Sequence, residues 1–337
     1  MNQHAVCMDI KQDVAGVKTF CFKPNENLSF SAGQFITLSL PTDKGSIQRS
    51  YTLSSSPKNN STFSITVRKV PNGKGSHWLH QHLQPGTKIE FNGPYGRFVP
   101  DEFEQKKLLL LAAGSGITPF LSTFRGWRDR GISVDALLIF SVRNPGQIIE
   151  YQELKSLCYS IKGLSIIFMP ENVEQQSWYG IRGRLDALWL PSLCRDITKR
   201  EIFTCGPTPY MQTIKQYLQD TDIGLANYHE EVFLSPQQVS IVLSATEQES
   251  NKFTVYFENS DIKVSCHDQE TLLDVAENAG MSIKMACRSG ICGSCMTMKK
   301  SGSVDMQDLG GILPAEKNKG MILLCCSKPA SDIVLDI

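Results

Sequence analysis

The sequence lacks several features that mark whole classes of protein. It has no excess of basic residues, because 34 Lys and Arg balance 34 Asp and Glu, whereas proteins that bind nucleic acid usually carry a basic surplus. It has no long apolar run, since stretches such as residues 108–113 are far too short to span a bilayer. The N-terminus shows no basic segment followed by an apolar one, which argues against a secretory signal. We therefore predict no nucleic-acid partner and no membrane span.

Cysteine, in contrast, is plentiful, with 11 residues in the chain. Without a secretory signal, this number predicts a reducing compartment, the cytoplasm, in which thiols serve as ligands or core side chains. Three cysteines share one short loop with the spacing C-x4-C-x2-C, and a fourth lies far downstream. This is the plant-type pattern of [2Fe–2S] ligation, in which four thiolates complete the coordination of two sulfide-bridged irons. The predicted ligands are Cys287, Cys292, Cys295 and Cys325.

The fourth ligand has a competitor, because Cys325 and Cys326 are adjacent. We choose Cys325 since it directly follows the apolar run 321–324. A zinc site, a disulfide or ordinary buried thiols are the alternatives for the whole group. Zinc is disfavoured because a second pair of closely spaced ligands is missing. A [2Fe–2S] cluster carries one electron at a time, so the pattern predicts a role in electron transfer.

Turn and strand patterns divide the chain into three parts. Residues 1–102 contain short runs of Val, Ile, Phe and Thr between turns, the first of them at 17–22, which predicts an antiparallel β-barrel. Residues 103–233 alternate apolar strands, the first of them at 107–112, with helices at 119–130, 149–161 and 209–220, which predicts a parallel α/β sheet. A polar linker is expected at 234–252, although its apolar stretch 239–243 could form a brief strand. Residues 253–337 return to β-strands with one helix ahead of the cysteine loop, an α+β domain.

The first part carries a tetrapeptide suited to a flavin. It consists of Arg49, Ser50, Tyr51 and Thr52. Tyr51 offers a flat contact for the ring, Thr52 a hydroxyl, and Arg49 a forked cation for phosphate. Farther along, Gly75 and Ser76 begin a helix whose N–H groups could bind a pyrophosphate. Taken singly, these segments fit an exposed strand and a capped helix equally well.

The second part carries a turn suited to a dinucleotide. A buried strand ends in the sequence A-A-G-S-G-I-T-P, in which Gly114 and Gly116 allow the backbone to approach a pyrophosphate at a helix N-terminus. The pattern is not G-x-G-x-x-G. Cys205 and Gly206 end a later strand at the same sheet edge, where ligands bind in open α/β sheets. An ordinary glycine turn and a buried cysteine remain alternatives for each segment alone.

Together the motifs resemble the ferredoxin–NADP reductase superfamily with a fused C-terminal plant-type ferredoxin of β-grasp fold. The matching segments, in the order of the family, are R-S-Y-T, G-K-G-S-H-W-L, G-P-Y-G, A-A-G-S-G-I-T-P, C-G-P and C-R-S-G-I-C-G-S-C. Within the superfamily, the chain looks most like NADH oxidoreductases that supply electrons to hybrid-cluster protein. Similar reductases feed Rieske-type oxygenases, including those that act on quaternary amines.

The resemblance implies a role for each motif residue. The flavin would be FAD rather than FMN, because Gly75 and Ser76 would contact its pyrophosphate and the loop lacks the additional arginine of many FMN-binding relatives. Phe233 would contact the flavin ring, although a core strand residue fits this position equally well. Thr52 and Cys205 would be the catalytic residues. The implied cofactor-binding residues are Arg49, Ser50, Tyr51, Thr52, Gly75, Ser76, Gly114, Gly116, Thr118, Gly206 and Phe233.

The resemblance also implies a path for electrons. NADH would reduce FAD, and the cluster would pass the electrons singly to a protein acceptor, either hybrid-cluster protein or, as the alternative, a Rieske-type oxygenase. NADH is preferred to NADPH because the segment after the second α/β strand offers only Arg143 as a cation for a 2′-phosphate. A non-enzymatic [2Fe–2S] sensor or carrier is the alternative from another class, and the flavin and nicotinamide motifs argue against it.

Overall fold

The structure, a computed structural model, describes residues 3–42, 45–173, 177–221, 223–233, 252–285 and 287–337. Two compact units are present: Met1–Pro94 with Phe98–Phe233, and Tyr95–Arg97 with Leu234–Ile337. The predicted linker at 234–252, with its possible strand at 239–243, lies outside the described residues apart from Lys252. Within the described ranges, no helix is long and apolar enough to cross a membrane.

The first unit opens with an antiparallel barrel. Its strands are β1 (Gln3–Gln12), β2 (Val17–Pro24), β3 (Phe35–Thr42), β4 (Gly45–Thr52), β5 (Phe63–Arg68) and β6 (Lys88–Tyr95), with helix α1 (Lys74–His82) between the last two. The strand order is β4-β3-β6-β1-β2-β5, and a bridge between Leu53 and Ile65 joins the two outer strands. Alternate side chains point inward, and Phe22 stacks on Phe63 in the barrel core.

A parallel sheet follows within the same unit. Its strands are β7 (Lys107–Ala113), β8 (Asp135–Val142), β9 (Leu164–Pro170), β10 (Glu201–Gly206) and β11 (Tyr228–Val232). The helices are α2 (Thr118–Arg130), α3 (Tyr151–Ser160), α4 (Trp189–Leu193) and α5 (Thr208–Gln219). The order β11-β10-β7-β8-β9 makes β7 and β10 neighbours. Since the order reverses between them, their carboxyl ends form a crevice where ligands bind in open α/β sheets.

The apolar run of β7 follows from burial on both faces of this sheet. Leu108 and Leu110 belong to one apolar core, and Leu109 and Leu111 belong to the core on the opposite face. Successive side chains of a strand point to opposite faces, so a strand covered on both sides is apolar throughout. Each such leucine contributes roughly 1.5–3 kcal/mol by leaving water. The predicted boundary between residues 102 and 103 falls on a 3₁₀ turn, Pro100–Phe103, ahead of this strand.

The second unit is an α+β domain. Its strands are β12 (Lys252–Phe257), β13 (Ile262–His267), β14 (Met296–Ser301), β15 (Val304–Met306), β16 (Met321–Leu323), β17 (Ser327–Pro329) and β18 (Ile333–Leu335), and its helices are α6 (Leu272–Asn278) and α7 (Pro314–Lys317). The main sheet has the order β13-β12-β18-β14-β16. Helix α6 is capped by the Thr271 side chain, which accepts a hydrogen bond from the Asp274 N–H. The three-part fold class predicted from the sequence is confirmed.

Candidate functional site

Strand β4 and the first turn of α1 meet on one side of the barrel. A Cβ atom on Gly75 would lie 2.7 Å from Arg49 Cγ and 2.8 Å from Tyr51 Oη, so only glycine allows this approach. The first N–H groups of a helix have no partner within it, and the helix dipole adds positive charge there. Together with the Arg49 guanidinium, this corner fits a phosphate group. Burial raises the pKa of Tyr51, which keeps its phenol neutral beside that corner.

The two serines of the predicted flavin site have other partners. Ser76 Oγ donates to the Gly73 carbonyl at 3.1 Å and accepts from the Val70 N–H at 3.2 Å, so it stabilises the turn ahead of α1. Its backbone N–H, in the first helical turn, is the group that could face a pyrophosphate. Ser50 Oγ lies 3.0 Å from Thr37 Oγ1 on the neighbouring strand.

Three side chains from separate strands lie close together, and two of them are the predicted catalytic residues. Thr52 ends β4, Cys205 lies near the end of β10, and Glu231 pairs with Cys205 in the adjacent strand β11. Glu231 is only 3% exposed, and burial raises its pKa to about 8, while the Thr52 hydroxyl acts in the opposite direction. Among the described residues, neither Thr52 Oγ1 nor Glu231 Oε2 has a partner in hydrogen-bond geometry. These buried polar atoms are therefore available to a bound ring.

Cys205 is held as a neutral thiol. Burial, and then the charge of Glu231, raises its pKa well above the ordinary value for cysteine. A thiol of this kind is a poor nucleophile and serves as a small polarisable contact. The side chain therefore suits a position against a cofactor ring rather than covalent chemistry.

The predicted dinucleotide turn packs directly on β10. A Cβ atom on Gly116 would lie 2.1 Å from the Cys205 carbonyl oxygen, so any larger residue would displace the turn. Gly114 has φ +56°, in the left-handed region that favours glycine. Thr118 Oγ1 donates to the Ser115 carbonyl at 3.1 Å and fastens the turn to the start of α2. A Cβ atom on Gly206 would lie 2.9 Å from the Cβ of Ala113, at the end of β7. The structure thus brings the predicted nicotinamide residues together in the crevice between β7 and β10.

Phe233 follows β11 directly, two positions after Glu231. Its side chain is 43% exposed, so the alternative of a buried core residue does not describe it. A ring at this edge of the sheet is available to a ligand.

Two functional candidates were not found from the sequence. Glu231 is one, because nothing in the adjacent pair Glu230 and Glu231 indicates which carboxylate is buried. Arg68, at the end of β5, is the other: burial, and then the nearby charge of Arg143, lowers its pKa. Neither arginine forms an ion pair within the part of the chain that the structure describes. The structure therefore brings two cations, Arg68 as well as Arg143, to the segment after β8.

The four predicted cluster ligands come together in the second unit. Backbone N–H groups of the loop point at their sulfurs, as second-shell donors to a cluster do. Cys287 Sγ accepts from three N–H groups at 3.3–3.4 Å, and the Gly290 N–H reaches Cys325 Sγ at 3.3 Å. The Ser294 N–H reaches Cys292 Sγ at 3.4 Å. Hydrogen bonds from the Cys292 and Cys325 thiols lower the pKa of Cys287, and the same contacts raise the pKa of Cys292 and Cys325, so these thiols titrate as one coupled group.

The adjacent cysteines Cys325 and Cys326 have different surroundings. Cys325 Sγ lies beside the thiols of Cys287 and Cys295, whereas Cys326 Sγ donates to the Leu323 carbonyl at 3.7 Å. Among the described residues, no three or more His, Cys, Asp or Glu side chains are grouped as a site for a single metal ion. The fit to a two-iron cluster thus rests on the loop N–H groups directed at sulfur.

Three family models match the chain, each over one of its parts. An oxidoreductase FAD-binding domain matches residues 6–99, and an oxidoreductase NAD-binding domain matches residues 110–216. A 2Fe-2S iron-sulfur cluster binding domain matches residues 255–330.

Curated relatives match over nearly the whole chain. The glycine betaine monooxygenase reductase subunit of Pseudomonas aeruginosa (strain UCBPP-PA14) is 37% identical, covering 98% of this chain and 94% of its own. The stachydrine N-demethylase reductase subunit Stc4 of Rhizobium meliloti is 32% identical, covering 96% and 93%.

Solved structures also share the fold over the full length of this chain. An intact type IV self-sufficient cytochrome P450 monooxygenase matches with a TM-score of 0.77 at 22% identity, over 100% of this chain and 41% of its own. Phthalate dioxygenase reductase matches with a TM-score of 0.58 at 22% identity, over 100% and 98%. At these identities the likeness shows the fold alone.

Proposed function

Because the chain belongs to the ferredoxin–NADP reductase superfamily with a C-terminal plant-type [2Fe–2S] domain, we propose that it is the NADH-dependent reductase component of a Rieske-type oxygenase that acts on a quaternary amine. One observation carries this proposal: the likeness to the glycine betaine monooxygenase reductase subunit extends over all three domains. The relatives give no support to hybrid-cluster protein as the acceptor, and they favour the alternative weighed from the sequence. We place the protein in the cytoplasm, since its cysteines suit a reducing compartment.

The chain belongs to an enzyme family of FAD- and NAD-binding oxidoreductases, which disfavours a non-enzymatic sensor. Bound FAD supplies the acceptor for hydride from NADH, and the [2Fe–2S] cluster supplies a one-electron carrier toward the partner protein. The residues of the chain bind and orient these groups and control charge around them.

Glu231 and Thr52 would control the charge around the flavin ring. With a pKa of about 8, the Glu231 carboxyl keeps its proton at neutral pH. A neutral carboxyl adds no negative charge to a buried site where a reduced flavin would also be negative. Beside it, the Thr52 hydroxyl can donate or accept toward a ring atom. We assign to this pair the task of holding a proton at the site during flavin reduction.

Two turns that require glycine would bind and orient the two cofactors. Arg49 and the first turn of α1 would hold the FAD pyrophosphate, and the turn from Gly114 to Thr118 would hold that of NADH. Cys205, packed against Gly116, would form the wall between the two rings. The loop N–H groups around the cysteines would stabilise thiolate charge in the cluster.

The acceptor is tested by anaerobic reoxidation. Protein reduced with NADH is mixed with a Rieske oxygenase that acts on glycine betaine, or with hybrid-cluster protein, and cluster and flavin absorbance are followed in a stopped-flow instrument. We expect the oxygenase to reoxidise the protein at least about tenfold faster, a preference of about 1.4 kcal/mol. In a Cys292→Ser control, NADH should still bleach the flavin while delivery to the oxygenase is lost. Faster reoxidation by hybrid-cluster protein would overturn the proposed partner.

A further inference from the structure

Helix α2 begins at the predicted nicotinamide turn (residues 114–118), and two of its side chains hydrogen-bond to the chain segment that follows strand β4. Ser122 Oγ donates to the Ser55 carbonyl at 2.7 Å. Arg125 Nη1 donates to the Ser54 carbonyl at 2.5 Å. Ser54 lies two residues beyond the last residue of β4, so both bonds reach the end of the strand that carries the predicted flavin contacts.

The contact continues along the same face of the helix. A Cβ atom on Gly126 would lie 3.2 Å from Pro57 Cδ, so the helix packs closely there. Lys58 Nζ donates to the Asp129 carbonyl at 2.6 Å. Positions 122, 125, 126 and 129 have the spacing i, i+3, i+4 and i+7, which places them on one face. This face of α2 therefore packs on residues 54–58.

Arg125 is a largely buried charged side chain on this face, and nearby carboxylates compensate its charge. Its side chain is 13% exposed, and its Nε donates to Glu153 Oε1 at 2.9 Å while Nη2 pairs with the other oxygen. Glu150 Oε1 lies 3.8 Å from the same Nη2 atom. Burial acts to lower the pKa of Arg125, but the hydrogen bond and charge of Glu153, with Glu150, raise it overall. Only a forked guanidinium can bind this carboxylate in two places and still reach the Ser54 carbonyl.

We propose that Arg125 is a positioning residue for hydride transfer, because it fixes the end of β4 relative to the nicotinamide turn. From Thr118 to Arg125 the helix rises about 10 Å as a rigid body. Tyr51 and Thr52 lie three and two residues before Ser54 on the chain, so the bond from Arg125 to the Ser54 carbonyl fixes their distance from the turn. Hydride transfer is sensitive to such placement, since an error of about 1 Å can cost about a hundredfold in rate. The inference rests on the reductase activity and not on the identity of the acceptor.

The test uses the holoprotein with Arg125→Lys and Arg125→Gln. Flavin reduction is followed at several NADH concentrations without oxygen or partner protein, which separates the limiting rate from NADH affinity. We expect the limiting rate to fall about 10- to 100-fold, with the NADH dissociation constant changed by less than about threefold. Absorbance from nicotinamide–flavin charge transfer should weaken, while the flavin midpoint potential and FAD content stay at wild-type values. A merely structural role would not separate these quantities.

Arg128→Gln is the matched control. Arg128 lies on the same helix, pairs with Asp129 and comes within 3.9 Å of Glu153, but it makes no bond to residues 54–58 among those described. Its limiting rate should equal that of the wild type. Ser122→Ala removes a single hydrogen bond to the same segment and should slow flavin reduction by about two- to fivefold. This variant tests the inference even if Arg125→Gln does not fold.

Wild-type reduction rates in folded, FAD-loaded Arg125 variants would overturn the inference, and so would an equal slowing in Arg128→Gln. These rates are measured without any acceptor. A wrong choice of oxygenase would therefore alter reoxidation and leave them unchanged.

Discussion

Replacing Glu231 by Gln should make the stability of the first unit less dependent on pH. The carboxyl is buried and lacks a cationic partner among the described residues, and its pKa rises from 4.5 to about 8 on folding. Between these two values the folded protein holds a proton that the unfolded chain releases. Stability from this group is therefore fully present below pH 4.5 and is lost as pH rises toward 8. Glutamine has nearly the same shape and cannot ionise.

The expected size follows from the two pKa values. Each pH unit between them costs the folded state about 1.4 kcal/mol, so the full penalty above pH 8 is about 5 kcal/mol. About 1.4 kcal/mol of this penalty is present at about pH 5.5, and nearly the full penalty is present at about pH 8.5. The difference in unfolding free energy between Glu231→Gln and wild type should thus grow by about 3 to 4 kcal/mol in favour of the variant.

Urea unfolding of flavin-depleted protein at several pH values measures this difference, because removing FAD takes the contribution of the bound flavin out of the stability of the first unit. Comparing variant with wild type cancels the titration of every other group. Glu230→Gln is the control, since Glu230 is half-buried, next in sequence and paired with Lys215 at 2.7 Å. It should show no comparable growth toward high pH. A Glu231→Gln difference that stays constant across this pH range would refute the reasoning.

Three further predictions follow from the site. Cys325→Ser should abolish the electron paramagnetic resonance signal of the reduced cluster, whereas Cys326→Ser should retain it; the reverse pattern would move the fourth ligand. Gly75→Ala should weaken FAD binding by about tenfold, because the new Cβ would displace the Arg49 side chain and the Tyr51 hydroxyl; fluorescence titration of apoprotein with FAD measures this affinity, and a wild-type value would contradict the prediction. Arg143→Ala should reduce kcat/KM for NADPH more than for NADH, because a 2′-phosphate loses one of two nearby guanidinium groups; equal losses in steady-state assays would remove that role.

Elements with strong local signals were predictable from the sequence. Strand β7 was predicted at 107–112 and is observed at Lys107–Ala113, because burial on both faces requires an unbroken apolar run. Helix α2 was predicted at 119–130 and spans Thr118–Arg130. Proline in its first turn and Gly131 at its end, with φ +65°, are local start and stop signals.

Other elements gave weak signals for physical reasons. Strand β1 was missed because the residues it buries, such as Ala5 and Cys7, are small, while Met8 faces solvent. Its place in the barrel depends on pairing with β2 and β6. Helix α4 was missed because it is only five residues long and contains a proline.

The sequence by itself determined the chemistry that the chain can offer: the four cysteines at cluster spacing, the R-S-Y-T strand and the glycine turns, since ligand spacing and turn formation are local. Tertiary structure alone decided which polar groups meet. Arg125 reaches a carbonyl 71 residues away, and Glu231 becomes a high-pKa carboxyl only because β11 lies beside β10 and the side chain is buried there. Burial and long-range strand pairing determine these contacts, and neither can be recognised in the residues that are neighbours in sequence.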